Sequence, residues 1–319
     1  MLELLRLLTQ LRPRFRPLPK APCPLFAQWC LGQGLGPLAG YNLEYALPQL
    51  PAPRAVKEQL LLAFWAAVGS NTSSLGSFKK ALGPLEGRRV VLFGAWSLVD
   101  ALGFHVGFRP LQEASVLVAQ EDTAGFASYM RACGYTEEVS FPHAVCALSD
   151  GLATVGLFNR LPGVPRMPPA LLGQAAPKRV FGPSVFALGL EDSLLALCAR
   201  QYAEGYSGPW IDWVEVRQAL LSPEVEAQSL KAKAQAWGIP HALYASLTAL
   251  GHVFGGVEQA FCPEVPAEWE ALVSRWAEAF AKVPEAVLEG REIPAKEEER
   301  RAFEAMAAKA PQAVSVETN

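Results

Sequence analysis

Residues 89–135, RVVLFGAWSLVDALGFHVGFRPLQEASVLVAQEDTAGFASYMRACGY, alternate between strand-like and helix-like patterns. The apolar, β-branched run at 89–93 predicts a buried strand, and 114–118 predicts a second one. Helical spacing of apolar residues predicts helices over 95–102 and 123–133. Because strand, helix, strand and helix follow one another closely, we expect the two strands to be neighbours in one sheet, with the first helix packed on it.

The neighbouring segments extend this pattern. Three short apolar runs, at 135–141, 144–148 and 152–157, predict further strands, and Asp150-Gly151 is typical of the turn between the last two. The Pro- and Gly-rich segment 161–183 reads as a loop, and helical periodicity dominates before residue 86 and after residue 190.

The sequence therefore predicts an α+β fold, in which a small mixed sheet is flanked by helices at both ends of the chain. The predicted parts are an N-terminal helical region at 1–86, an α+β domain at 87–165 and a C-terminal helical domain at 166–319.

The composition predicts a folded chain with a large core, since 51% of the 319 residues are hydrophobic and 18% are charged. Lys and Arg number 28 and Asp and Glu 31, so the net charge of -3 gives no sign of nucleic-acid binding. The longest apolar run, 60–69, is far shorter than the ~20 residues of a membrane-spanning helix. We expect no membrane span.

The N-terminal segment does not have the pattern of a secretory signal, because Glu3, Arg6 and Gln10 interrupt its apolar run. None of the six cysteines forms a C-x-x-C pair, and the four histidines are not spaced to complete a zinc site. These features predict a cytoplasmic protein with reduced, buried thiols.

Several short motifs follow one another in an order and spacing that can be compared with known families. Within 89–135 they are Gly94, Leu98, Arg109-Pro110, Leu117-Val118 and Gly134-Tyr135. Helical segments such as LFAQWCLGQGLGPL before them and AQAWGIPHALYASLTALGHVFG after them extend the match over most of residues 25–263. In order and spacing, the chain resembles the uncharacterised bacterial nucleotidyltransferase family of the polymerase-beta superfamily.

The resemblance implies a nucleotidyltransferase fold and a site in which carboxylates hold two magnesium ions over the nucleotide phosphates. The family's paired aspartates stand at i and i+2, because alternate residues of a strand face the same side. Here those positions are Glu113 and Ser115, and the third carboxylate position is Gly156. The family's Lys and His positions are Phe93 and Phe158. With one carboxylate left of three, we expect no catalytic residues and no tight metal site.

If a nucleotide binds, the resemblance implies Gly94, Arg109 and Glu113 as its contacts. A guanidinium such as that of Arg109 suits a phosphate, but a salt bridge or a turn is an equal alternative for this residue. Glu215 matches an acidic residue on a helix that faces the cleft, where it either orients a ligand or bridges helices.

These observations lead to three hypotheses. The first is a catalytically inactive nucleotidyltransferase-like protein that acts by ligand or protein binding and needs no cofactor. The second is an active enzyme that uses Mg and ATP and transfers a nucleotidyl group to an unknown acceptor. The third is a structural or assembly subunit. An open cavity with Glu113 and Arg109 would favour the enzyme or the ligand binder, whereas filling by Phe93 and Phe158 would favour assembly.

An unknown protein partner or self-association would require an exposed apolar patch. The two candidate locations are the aromatic segment YSGPWIDW at 206–213 and the charged tail at 291–309, where Phe303 and Met306 lie three residues apart. For both segments, packing on the protein's own body is the alternative.

Overall fold

The computed structural model describes residues 2–11, 13–14, 22–82, 89–111, 113–138, 142–178, 181–255 and 259–288. These residues form a mixed sheet surrounded by helices, so the predicted α+β fold is confirmed. No helix within the described residues combines the length and the apolar character needed to cross a membrane.

The N-terminal part is helical, as predicted. Its helices are α1 (Leu2–Leu8), α2 (Pro24–Gly32), α3 (Gly36–Tyr41) and α4 (Arg54–Leu82). The long helix α4 buries one face, which includes Leu60, Phe64 and Phe78. Helix α3 lies directly against its backbone, because a Cβ at Gly40 would come within 2.2 Å of the Leu60 carbonyl oxygen. This close contact requires glycine.

Seven strands form one sheet in the described part of the chain. They are β1 (Val90–Phe93), β2 (Glu113–Leu117), β3 (Thr136–Glu138), β4 (Cys146–Ser149), β5 (Thr154–Phe158), β6 (Ala176–Pro177) and β7 (Val185–Ala187), in the order β3-β4-β5-β2-β1-β7-β6. Strand β1 pairs antiparallel with β2, and β2 pairs parallel with β5. Helix α5 (Ala95–Ala101) packs on β1 and α6 (Thr123–Ala132) follows β2, so the predicted neighbours are confirmed.

The loop prediction for 161–183 is wrong in part. This segment contains the short helix α7 (Leu171–Gln174) and strand β6, and β7 follows to pair parallel with β1. Strands of two and three residues are too short to show alternation, and the surrounding prolines and glycines favour a loop reading. The division of the chain into three parts stays a prediction, and the sheet itself extends beyond residue 165.

The hairpin between β4 and β5 turns where Asp150-Gly151 predicts it. Gly151 has φ 83°, and the Asp150 Oδ1 atom accepts hydrogen bonds from the backbone N–H groups of Leu152 and Ala153. Ser77 of α4 donates a hydrogen bond to the same carboxylate. Partial burial works to raise the pKa of Asp150, but these hydrogen bonds outweigh it and lower the pKa. Because one of them comes from Ser77, the turn also holds helix α4 in place.

The C-terminal part is helical, as predicted. Its helices are α8 (Leu190–Ala203), α9 (Ile211–Leu220), α10 (Ala227–Trp237), α11 (Pro240–Phe254) and α12 (Ala267–Leu288). The predicted tail at 291–309 lies outside the described residues.

The aromatic segment at 206–213 is not an exposed patch, so this candidate docking location is wrong. Trp210 and Trp213 are buried. Phe280 of α12 stacks on Trp210, with ring centroids 4.9 Å apart, and lies 5.1 Å from the Trp213 ring. The apolar side of α12 covers these rings, a tertiary contact that a local pattern cannot show.

Candidate functional site

A cavity of about 560 Å³ lies between the sheet and helices α8 and α9. We call one side the strand wall; it consists of Phe93, Glu113, Ser115 and Phe158. We call the other side the charged wall; it consists of Arg109, Arg200, Glu204, Asp212 and Glu215. Two residues that the resemblance implies as nucleotide contacts, Arg109 and Glu113, therefore line one cavity.

The strand wall brings into register three positions at which the resemblance implies catalytic residues. Phe93 on β1 stands opposite Ser115 on β2, and Ser115 stands opposite Gly156 on β5. Directly opposed residues in a sheet project to the same face, so these three positions form one row beside the cavity. Gly156 has no side chain, and Ser115 offers only a neutral hydroxyl.

Phe93 and Phe158 form an aromatic pair in the strand wall, which we call the aromatic floor of the cavity. The rings of Phe93 and Phe158 meet edge to face, with centroids 5.0 Å apart and planes at 78°. Both side chains are buried and belong to the hydrophobic core. The expected aromatic filling is therefore present, yet the cavity remains open beside it and contains Glu113 and Arg109.

Gly94 lies at the turn from β1 to α5. Its φ of 70° is in the left-handed region, which favours glycine at this abrupt change of direction. Ser97 donates a hydrogen bond of 2.6 Å to its carbonyl oxygen. The neighbours Phe93 and Ala95 line the cavity, so Gly94 lies beside the cavity.

The charged wall is organised around Asp212, whose side chain is 1% exposed. Its carboxylate pairs with the guanidinium groups of Arg109 and Arg200, and Gln201 Nε2 donates a hydrogen bond of 2.8 Å to Oδ2. Arg109 also reaches Glu215, with Nη1 2.5 Å from Oε1. Helices α8 and α9 and the loop before β2 are thus joined by one buried ionic network.

Burial dominates the electrostatics of Glu215. It raises the pKa of this carboxyl; the nearby Asp212 acts in the same direction, and Arg109 opposes it. Burial works against the charge of Arg109, but Glu215 and Asp212 together raise the pKa of its guanidinium. The Oε2 atom of Glu215 is buried and receives no hydrogen bond from any residue that the structure describes. It is an unused acceptor on a residue that lines the cavity.

Asn71 of α4 positions the loop that carries Arg109, and sequence reasoning missed it. Its Nδ2 donates to the carbonyl oxygens of Val106 and Arg109 at 2.5 and 2.7 Å, and its Oδ1 accepts from the backbone N–H of Leu111 at 2.7 Å. Asn71 is fully buried. An asparagine on the apolar face of a long helix was the available signal, because a buried amide needs hydrogen-bond partners.

The strand wall does not fit two magnesium ions. Magnesium prefers hard oxygen ligands in octahedral geometry. The row Phe93, Ser115 and Gly156 supplies no carboxylate, so Glu113 is the one carboxylate on this wall. Nowhere among the described residues do three or more His, Cys, Asp or Glu side chains gather as a candidate metal group. The absence of a tight metal site nevertheless stays a prediction until binding is measured.

One comparison with known proteins gives a match. A sequence model of the family described as uncharacterised nucleotidyltransferase matches residues 19–255, which is most of the chain. Neither the curated proteins nor the solved structures contain a match.

Proposed function

The chain belongs to the uncharacterised nucleotidyltransferase family, and we propose that it is a non-catalytic member that binds a small molecule in the cavity. The observation that carries the proposal is the row of Phe93, Ser115 and Gly156 across three paired strands. The resemblance implies a lysine and two metal-binding carboxylates at these positions, and their absence supports the proposal.

Metal-dependent nucleotidyl transfer would need other carboxylates to replace those of the row. Glu113 is the one carboxylate of the strand wall. Asp212 is already shared by Arg109, Arg200 and Gln201. A metal ion there would have to compete with two guanidinium groups, so the charged wall is a poor substitute for the missing ligands.

Ligand binding fits the cavity better than a purely structural role. Its volume of about 560 Å³ falls within the roughly 300–1,000 Å³ of small-molecule sites. Such sites combine apolar surface with a few fixed polar groups, as the aromatic floor and the ionic network do here. The aromatic segment that could have supported assembly is covered by α12.

The proposal can be tested with two measurements on the purified full-length chain. We expect no labelled product when the protein is incubated with magnesium, each α-labelled nucleoside triphosphate and a cell extract as the source of acceptors. In a thermal-shift screen of metabolites, we expect at least one compound to raise the Tm.

The variant Glu113→Ala should weaken that thermal shift, whereas the surface variant Glu137→Ala, whose side chain is 66% exposed, should not. A magnesium-dependent labelled product that disappears in Glu113→Ala would instead establish an active enzyme. A screen in which no compound raises the Tm would contradict ligand binding.

A further inference from the structure

Resting on the proposed ligand-binding function, we infer that the cavity binds an organic cation: a small molecule with a protonated amine or amidine attached to an apolar group. The inference depends on the charge balance of the lining residues, on the unused acceptor of Glu215 and on the aromatic floor.

The described residues that line the cavity carry more negative than positive charge. The carboxylates are Glu113, Glu204, Asp212 and Glu215, and the guanidinium groups are those of Arg109 and Arg200. An excess of like charge in a partly enclosed cleft raises the local concentration of ligands with the opposite charge. The balance favours a cation over a phosphate.

Each of the two guanidinium groups already pairs with carboxylates, although the Nε of Arg200 has no hydrogen-bond partner among the described residues. Arg109 lies between Asp212 and Glu215, and its Nε donates to the Pro110 carbonyl oxygen at 3.3 Å. Arg200 pairs with Asp212 and lies near Glu204. A phosphate would have to displace these carboxylates to form a bidentate contact, which leaves buried negative charges without partners.

Glu215 supplies the second, independent observation. Its side chain is 1% exposed and lines the cavity, and its Oε2 receives no hydrogen bond within the described residues. In its ionised form the carboxylate is only an acceptor. Because Oε2 has almost no accessible surface in the free protein, the side chain must turn toward the cavity to accept a donor from the ligand. A charge-assisted N–H···O bond from an ammonium or amidinium group is the strongest contact of this kind.

The strand wall suits the apolar part of the same molecule. Phe93 and Phe158 line the cavity and provide aromatic surface, to which flat apolar groups and cations are both attracted.

Binding of a cation should also release protons. Burial raises the pKa of Glu215, so the free protein keeps the proton on this carboxyl up to a higher pH than an exposed glutamate does. A nearby positive charge favours the ionised form and lowers that pKa again. The groups around Glu215 are Arg109, Asp212 and Arg200, with Glu113 and Glu204 elsewhere on the cavity walls. Of these groups, we assign the proton release to Glu215.

Three probes of nearly identical shape test the charge directly: benzamidine, benzamide and benzoate, titrated into the full-length chain by calorimetry. Benzamidine should bind at least about tenfold more tightly than benzoate, with benzamide between them. Its heat should change between buffers of different ionisation enthalpy, in the direction of proton release.

Two variants locate the binding. Glu215→Gln should weaken benzamidine by about tenfold and abolish the buffer dependence, while Glu137→Gln, at an exposed position, should change neither. If Glu215→Gln fails to fold, Glu113→Gln removes a charge at an exposed position and should weaken benzamidine by about threefold.

The proposal is overturned if benzamidine does not bind, if benzoate binds as tightly, or if neither cavity variant weakens benzamidine. If benzoate or benzamide binds as tightly as benzamidine and Glu113→Gln affects that binding, the ligand-binding function stands and only the cation is wrong. A labelled nucleotidyl product would contradict both the cation proposal and the non-catalytic function.

Discussion

The two walls of the cavity differ in what they are made of. The strand wall is an aromatic pair with one exposed carboxylate, Glu113, and its register is that of a regular sheet. The charged wall holds five ionisable side chains, of which Asp212 and Glu215 are each 1% exposed. The resemblance implies metal-binding carboxylates on the strands, but the buried ionisable side chains lie on the helices and on the loop before β2, where the resemblance had pointed to Arg109 and Glu215.

This difference separates packing from recognition. An edge-to-face aromatic pair stabilises a core whether or not a ligand is bound. Buried charges are expensive to desolvate, and replacing a buried ion pair by apolar residues is often neutral or stabilising. Our hypothesis is that the charged wall determines which ligand binds, and that the aromatic pair of the strand wall contributes mainly to stability while offering the ligand an apolar surface.

The largest expected effect is on the strand wall. Phe158→Ala removes a buried ring from its contact with Phe93 and should lower the free energy of unfolding by about 4 kcal/mol. Leu152→Ala, at a side chain that is 58% exposed, should stay within about 0.5 kcal/mol. Urea denaturation measures both. A cost below about 1 kcal/mol for Phe158→Ala would show that the strand wall is not held by packing.

The next effect is on the charged wall. Asp212→Ala leaves Arg109 and Arg200 without their shared carboxylate and should reduce the free energy of unfolding by about 3 kcal/mol. The exposed Asp122, just before α6, is the control; its change to alanine should cost less than about 1 kcal/mol. Equal unfolding midpoints for the two variants in urea would mean that the network contributes nothing to stability.

A smaller effect tests the link between α4 and the charged wall. Asn71→Ala leaves the backbone groups of Val106, Arg109 and Leu111 without partners and should cost about 2 kcal/mol. The neighbouring Thr72→Ala, which loses only an exposed hydrogen bond within the helix, should cost about 0.5 kcal/mol. If thermal and urea unfolding give the same loss for both, Asn71 does not position the Arg109 loop.

Much of the fold could be predicted from the sequence because its signals are local. The runs that became β1 and β2 are apolar and bounded by turn residues, and Asp150-Gly151 fixed a hairpin through its own hydrogen bonds. Strands β6 and β7 were missed because two or three residues show no periodicity, and only pairing with β1 reveals them.

The site was predictable only in part. Residues close in sequence, such as Glu113 and Ser115, could be assigned to one face of a strand, which the cavity confirms. The contact between Arg109 and Asp212 spans 103 positions, and that between Asn71 and Leu111 spans 40. No spacing rule connects residues so far apart. The resemblance pointed to Arg109 and Glu215 singly, and both line the cavity, but their network with Asp212 and Arg200 emerged only from the packing of α8 and α9 against the sheet.

The central claim is that the cavity does not hold a nucleotide through magnesium, and calorimetry with ATP in the presence and absence of magnesium tests it most directly. With Ser115 and Gly156 at the expected carboxylate positions and with both guanidinium groups engaged, we predict a Kd weaker than about 1 mM under both conditions. Glu113→Ala should leave this result unchanged. A micromolar, magnesium-dependent affinity that disappears in Glu113→Ala would contradict the account.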